Sequence, residues 1–141
     1  MKKNKVVLFL IFLVYLSAVA YITVFCREPE ERRVSLNLFE SYYYLLENKN
    51  SYYYNMIKYN IIMTIPFGLL VPMISSKLRN WHKVLVLGFL FSLTIETTQY
   101  ITGRGLFEAD DLFNNTLGAV IGYIFYALLR LSLKPFIRQN K

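Results

Sequence analysis

Apolar residues in this chain fall into four long blocks with almost no charge inside them. The first, Val6 to Cys26, has no charged residue. As a helix rising about 1.5 Å per residue, it crosses roughly 30 Å, one hydrocarbon core. The second block, Tyr59 to Ser76, lies between Lys58 and Lys77 and carries Pro66 and Pro72. Proline removes a helical donor, so a kinked or partly broken helix is expected there. The third, Val84 to Gly103, encloses one charged residue, Glu96. The fourth runs from Leu112 to Leu129, and its apolar character continues through Arg130 to Leu133. The pattern predicts an all-α, polytopic membrane protein with one domain. About four transmembrane helices, over residues 6–26, 59–76, 84–103 and 112–133, would form a small bundle, with a long loop over 27–58.

Composition agrees and narrows the classes. Of 141 residues, 55% are hydrophobic and 18% charged, too apolar for a disordered chain. Cys26 is the only cysteine, which excludes a disulfide scaffold. The four blocks take up more than half of the chain, leaving little for a water-soluble enzyme. Ala18-Val19-Ala20 resembles a signal-peptidase site after a basic N-terminus. The apolar run continues past it, which fits a retained helix. Either way the next loop lies outside.

The net charge of +7 is a topology signal. With the N-terminus inside, Lys2, Lys3, Lys5, Lys77, Arg79, Lys83, Arg130, Lys134, Arg138 and Lys141 are all cytoplasmic and no acidic residue joins them. Arg27, Arg32, Arg33, Lys49, Lys58 and Arg104 fall outside, with every acidic residue except Glu96. This bias places both termini in the cytoplasm of a multi-pass cell-membrane protein. Nucleic acid is not an expected partner, because no folded polar face gathers the basic residues. Membrane lipids are, and a homo-oligomer is compatible with so short a bundle. The outer loop repeats Ser-Tyr-Tyr-Tyr at 41–44 and 51–54. Tyrosine suits the headgroup region; an aromatic platform for a sugar or peptide is the sharper alternative.

Polar residues inside the blocks carry the candidate chemistry. A carboxylate within a spanning helix is costly and usually faces the bundle interior or a water-filled cavity. Ser92, Glu96 and Gln99 share one helix face with Gly88 and Gly103. Asp111, Asn115, Gly118 and Gly122 form a matching stripe, as do Asn60, Thr64, Gly68 and Pro72. Helical rise puts Glu96 about 8 Å, and Asn115 about 6 Å, from the outer ends of their helices. Asn60, Thr64, Glu96, Gln99, Arg104, Glu108, Asp110, Asp111, Asn114 and Asn115 should therefore cluster in the outer leaflet as an outward-facing polar pocket.

Each part also has a plainer reading. Gly118-x-x-x-Gly122 is helix-packing spacing. Asp110 and Asp111 can cap the fourth helix, and Glu96 can pair with Arg104. Carboxylates with amide oxygens would suit a hard cation, but the spacing matches no metal motif, so neither metal nor cofactor is expected. Two carboxylates can act as acid and base. No nucleophile is identified: Cys26 sits at a helix end without a histidine, and His82 pairs with Trp81 in an inner loop.

Three segments resemble the VanZ-like family of membrane proteins. Asn60 to Gly68 (Asn-Ile-Ile-Met-Thr-Ile-Pro-Phe-Gly) resembles its N-x-x-x-F-x-P-x-G segment. Ser92 to Gln99 (Ser-Leu-Thr-Ile-Glu-Thr-Thr-Gln) resembles its S-L-x-x-E-x-x-Q helix. Arg104, Phe107 to Asp111, and Asn115 to Gly118 resemble its R-x-x-D-x-x-D-x-x-x-N-x-x-G run. Arg33 to Phe39 is weakly similar to an R-S-L-N-L-x-P-F loop segment, without its proline. Thr64 stands where the family has phenylalanine, and Glu108 where it has aspartate. The resemblance covers about residues 5 to 130. It implies a bacterial cell-envelope protein associated with low-level resistance to glycopeptide antibiotics, notably teicoplanin. It carries the family's polar positions onto Asn60, Glu96, Gln99, Arg104, Asp111 and Asn115. The expected role is binding an envelope lipid intermediate or the lipoglycopeptide itself. The alternatives are a membrane enzyme that modifies an envelope lipid or glycan through Glu96 and Asp111, and a structural partner of another envelope protein.

Overall fold

A computed structural model describes residues 2–29 and 31–139, with side chains from Lys5 to Leu133 apart from residue 30. Lys141 of the charge tally lies outside the described residues, as do the side chains of Lys2, Lys3, Lys134 and Arg138. The order is α1 (Lys2–Ala20), a π-helical turn (Tyr21–Phe25), β1 (Val34–Ser35), α2 (Glu40–Asn48), α3 (Ser51–Ile74), a 3-10 turn (Ser76–Leu78), α4 (Trp81–Thr102), β2 (Phe107–Glu108) and α5 (Ala109–Gln139). Four segments are long and apolar enough to cross a membrane: Lys5–Phe25, Ser51–Ile74, Trp81–Thr102 and Ala109–Leu133. The chain is an all-α, multi-pass membrane protein.

The second span departs from expectation in its start and in not being broken. It starts at Ser51 rather than Tyr59, because Asn50 caps it: the Asn50 side chain accepts from the Tyr52 N–H at 2.9 Å. It also runs unbroken through Pro66 and Pro72. A spanning helix packed by its neighbours tolerates the lost donors. The loop over 27–58 is correspondingly shorter, and it folds. It contains α2 and pairs Val34–Ser35 in parallel with Phe107–Glu108. Asn80 caps α4 by the same device, accepting from His82 at 3.0 Å. Gly103, at φ 64°, ends α4, with the Arg104 N–H returning to the Gln99 carbonyl at 2.9 Å.

The α3–α5 seam is the tightest contact. A Cβ on Gly68 would sit 1.8 Å from the Ala119 carbonyl oxygen. One on Gly118 would sit 2.1 Å from the Ile61 oxygen, and one on Gly122 2.0 Å from the Ile65 oxygen. Small residues let helix backbones meet where lipid offers no hydrophobic drive to associate. Beside the seam, Phe67 stacks on Phe91 with ring centroids 4.5 Å apart. Phe12 and Tyr15 of α1 complete this apolar half, and the Tyr15 hydroxyl donates to the Met63 carbonyl at 2.9 Å. Lipid-facing threonines stay satisfied within α4: Thr94, Thr98 and Thr102 donate to the carbonyls of Leu90, Thr94 and Thr98.

A buried polar layer between the helices

The three polar stripes read from the sequence all turn inward. Asn60, Thr64, Gly68 and Pro72 of α3 are buried. So are Gly88, Ser92, Glu96 and Gln99 of α4, whereas Gly103 serves as that helix's cap. From α5 come Asp110, Asp111, Asn114 and Asn115. Glu96 and Gln99 are each 1% exposed, and Thr64, Ser92 and Asn115 are fully enclosed. The result is a polar layer at the loop end of a membrane bundle.

Hydrogen bonds tie this layer together across helices. The Thr64 hydroxyl donates to the Asn115 carbonyl at 2.6 Å. Ser92 donates to the Asp111 carbonyl at 3.5 Å. The Glu108 N–H donates to Glu96 Oε2 at 3.4 Å, and the Gln99 amide reaches the Thr23 carbonyl at 3.5 Å. Asn60 is hydrogen-bonded to the Asp111 side chain. Several buried atoms have no protein partner: Gln99 Oε1, Asp111 Oδ1, Asn114 Nδ2, and both side-chain polar atoms of Asn115. Each such group carries the cost of lost hydration, roughly 1–3 kcal/mol.

Asp110 and Arg104 occupy different places from those their spacing implied. Asp110 lies in the first turn of α5, where its charge suits the helix end, but its hydrogen bonds go elsewhere. Its carboxylate accepts from the Phe39 and Ser41 N–H groups, the latter at 2.7 Å, and so holds the start of α2. Arg104 donates to the Arg27 carbonyl at 3.0 Å. The cation whose charge acts on both Glu96 and Asp111 is Arg27. Its guanidinium packs so close to Gly105 that a Cβ there would fall 2.9 Å from Nη1. Arg27 escaped the sequence reading because it belongs to no helical stripe. The signal for it was its place, the first charge after α1 and at the same end as Glu96. Tyr42, which donates to Asn114 Oδ1, was likewise visible only as one of many tyrosines.

An open cavity lies beside the layer rather than inside it. It has a volume of about 770 Å³ and is walled by β1, α2, the first turns of α3 and the α4–α5 connection. Of the residues read from the sequence as pocket-forming, Glu108 and Asp110 reach it. Glu96, Gln99, Asp111 and Asn115 are enclosed behind them. Among the described residues, no three His, Cys, Asp or Glu side chains are grouped to hold a metal.

Four spanning helices with ionisable groups buried between them define a multi-pass membrane protein whose interior is polar at one end. The VanZ/LLP1 family profile matches residues 6–130, and the chain belongs to that family. No curated protein and no solved structure matches it.

Proposed function

We propose that this is a bacterial cell-envelope protein that binds an amphiphile at the loop end of its bundle, and that this end faces outward with both termini cytoplasmic. The ligand is an envelope lipid intermediate or a lipoglycopeptide, and the outcome is low-level resistance to teicoplanin. The observation that carries the reading is the set of buried atoms without partners at Gln99, Asp111, Asn114 and Asn115. Within a bilayer, helix packing alone selects against such groups, so their presence favours a polar guest. Asn60, Glu96, Gln99, Asp111 and Asn115 would face that guest. Arg104 and Asp110 would position the loop that covers them.

The test is a titration of labelled teicoplanin, and separately of extracted envelope lipid, into the protein in nanodiscs. Saturable binding that weakens with Asn115→Leu supports the reading. Equal, non-saturable partition into empty and loaded nanodiscs contradicts it.

A second reading has its own observation. The Glu96 and Asp111 charges interact inside the bundle with Arg27 between reach of both. Such a carboxylate pair fits acid and base roles on an envelope lipid or glycan. It predicts new masses among extracted envelope lipids on expression of wild type and none with Glu96→Gln.

A further inference from the structure

The cavity at the loop end has a chemistry of its own. Its aromatic wall is built from Tyr44 of α2 and Tyr53 of α3, whose rings stack with centroids 5.3 Å apart at 25°. Both are half-buried, while Tyr43, Tyr54 and Tyr59 are exposed as interfacial tyrosines are. The duplicated Ser-Tyr-Tyr-Tyr therefore does two jobs. Tyr44 of the first copy and Tyr52 and Tyr53 of the second wall the cavity.

The opposite wall is polar and mixed in sign. Arg33 faces the space with Glu40 and Glu108, and Ser35 donates to Glu40 at 2.8 Å. Asp110 is held by backbone N–H groups. With carboxylates outnumbering the one arginine, this wall disfavours a phosphate. Its volume lies within the about 300–1,000 Å³ of small-molecule sites. Tyrosine rings beside carboxylates and an arginine fit a sugar ring with an apolar C–H face and a rim of hydroxyls.

We propose that this cavity binds a saccharide without anionic groups, as the sugar portion of the amphiphile. It deepens the amphiphile-binding reading and rests on it only for the source of the sugar. The cavity is the sugar's site, and the enclosed polar layer is not.

The experiment uses the full chain in detergent, titrated by calorimetry with chitotriose, inorganic phosphate and trilysine in turn. Chitotriose should bind saturably, and phosphate and trilysine should not. Tyr53→Ala should weaken chitotriose binding about tenfold or more, as loss of a central aromatic contact does. Tyr53→Phe, which keeps the ring and the stack on Tyr44, should stay within about threefold of wild type. That variant also guards against mistaking misfolding for lost contact, with thermal unfolding recorded for each. Chitotriose affinity is read on the purified protein, so this result stands apart from any resistance outcome. No saturable chitotriose binding by folded wild type would overturn the proposal. So would preferential binding of phosphate or trilysine, or chitotriose affinity unmoved by a folded Tyr53→Ala.

Discussion

The two ends of this bundle obey different rules. Around Phe67, Val71, Val84 and Ala119 the helices meet through glycines and stacked aromatic rings, with the Tyr15 hydroxyl bonded to the Met63 carbonyl. At the loop end, Glu96, Gln99, Asp111, Asn114 and Asn115 are enclosed, and several of their atoms lack partners. Both ends lie within helices of spanning length, so the same solvent acts on them. Packing accounts for most of the apolar end, where the Tyr126 hydroxyl alone among the buried atoms without a partner lies away from the polar layer. It leaves the polar end with a cost and no return, and the proposed ligand site rests on that difference.

The comparison is broken most strongly at the glycine seam. Gly68→Val puts side-chain atoms where the Ala119 carbonyl stands. It should cost about 3 kcal/mol or more, or abolish folding, because backbone cannot move aside as a side chain can. Thermal unfolding and monodisperse yield in detergent report it.

Asp110→Ala comes next. It removes the acceptor of the Phe39 and Ser41 N–H groups and frees the start of α2. A loss of about 2 kcal/mol is expected, since bonds to a charged acceptor exceed neutral ones. Limited proteolysis should then cut within residues 31–50, while the spans remain protected.

Asn115→Leu separates packing from function. Replacing an amide whose two polar atoms lack partners should leave stability unchanged or raise it by up to about 1 kcal/mol. Protection against teicoplanin should fall all the same. A marked loss of stability would show instead that Asn115 belongs to the scaffold.

The smallest effect concerns pH. Burial, followed by the Asp110 charge, pushes the Tyr42 phenol above its usual range. The neutral phenol is the form the fold favours, so its contribution is complete below about pH 10, the unfolded value. It is lost as pH rises through the raised folded value. In a pH series of unfolding midpoints, Tyr42→Phe should flatten that alkaline decline, and at neutral pH it should cost about 1 kcal/mol for the donor lost to Asn114.

Much of this was legible in one sequence. The four-residue spacing of Asn60, Thr64 and Gly68, and of Asp111, Asn115 and Gly118 with its neighbours, sets which faces turn inward, because helical periodicity is a local property. The Gly118–Gly122 spacing likewise announced the seam. What stayed hidden depends on long-range contacts. Asp110 looked like a cap for its own helix, yet its hydrogen-bond partners lie at the start of α2. Arg27 sits outside any periodic run, and the loop path brings it to the two carboxylates. The start of α3 was missed because Ser51 to Lys58 is too polar to extend the apolar block, although Asn50 is a good helix cap. Pro66 and Pro72 do not break the helix, since tertiary packing overrides their local cost.

The most direct test is teicoplanin susceptibility of a sensitive Gram-positive host carrying empty vector, wild type or Glu96→Gln, at matched membrane abundance. Protection from wild type and its loss with Glu96→Gln is the predicted result. Equal protection from both would reduce Glu96 to packing, and no protection from abundant wild type would contradict the resistance role itself.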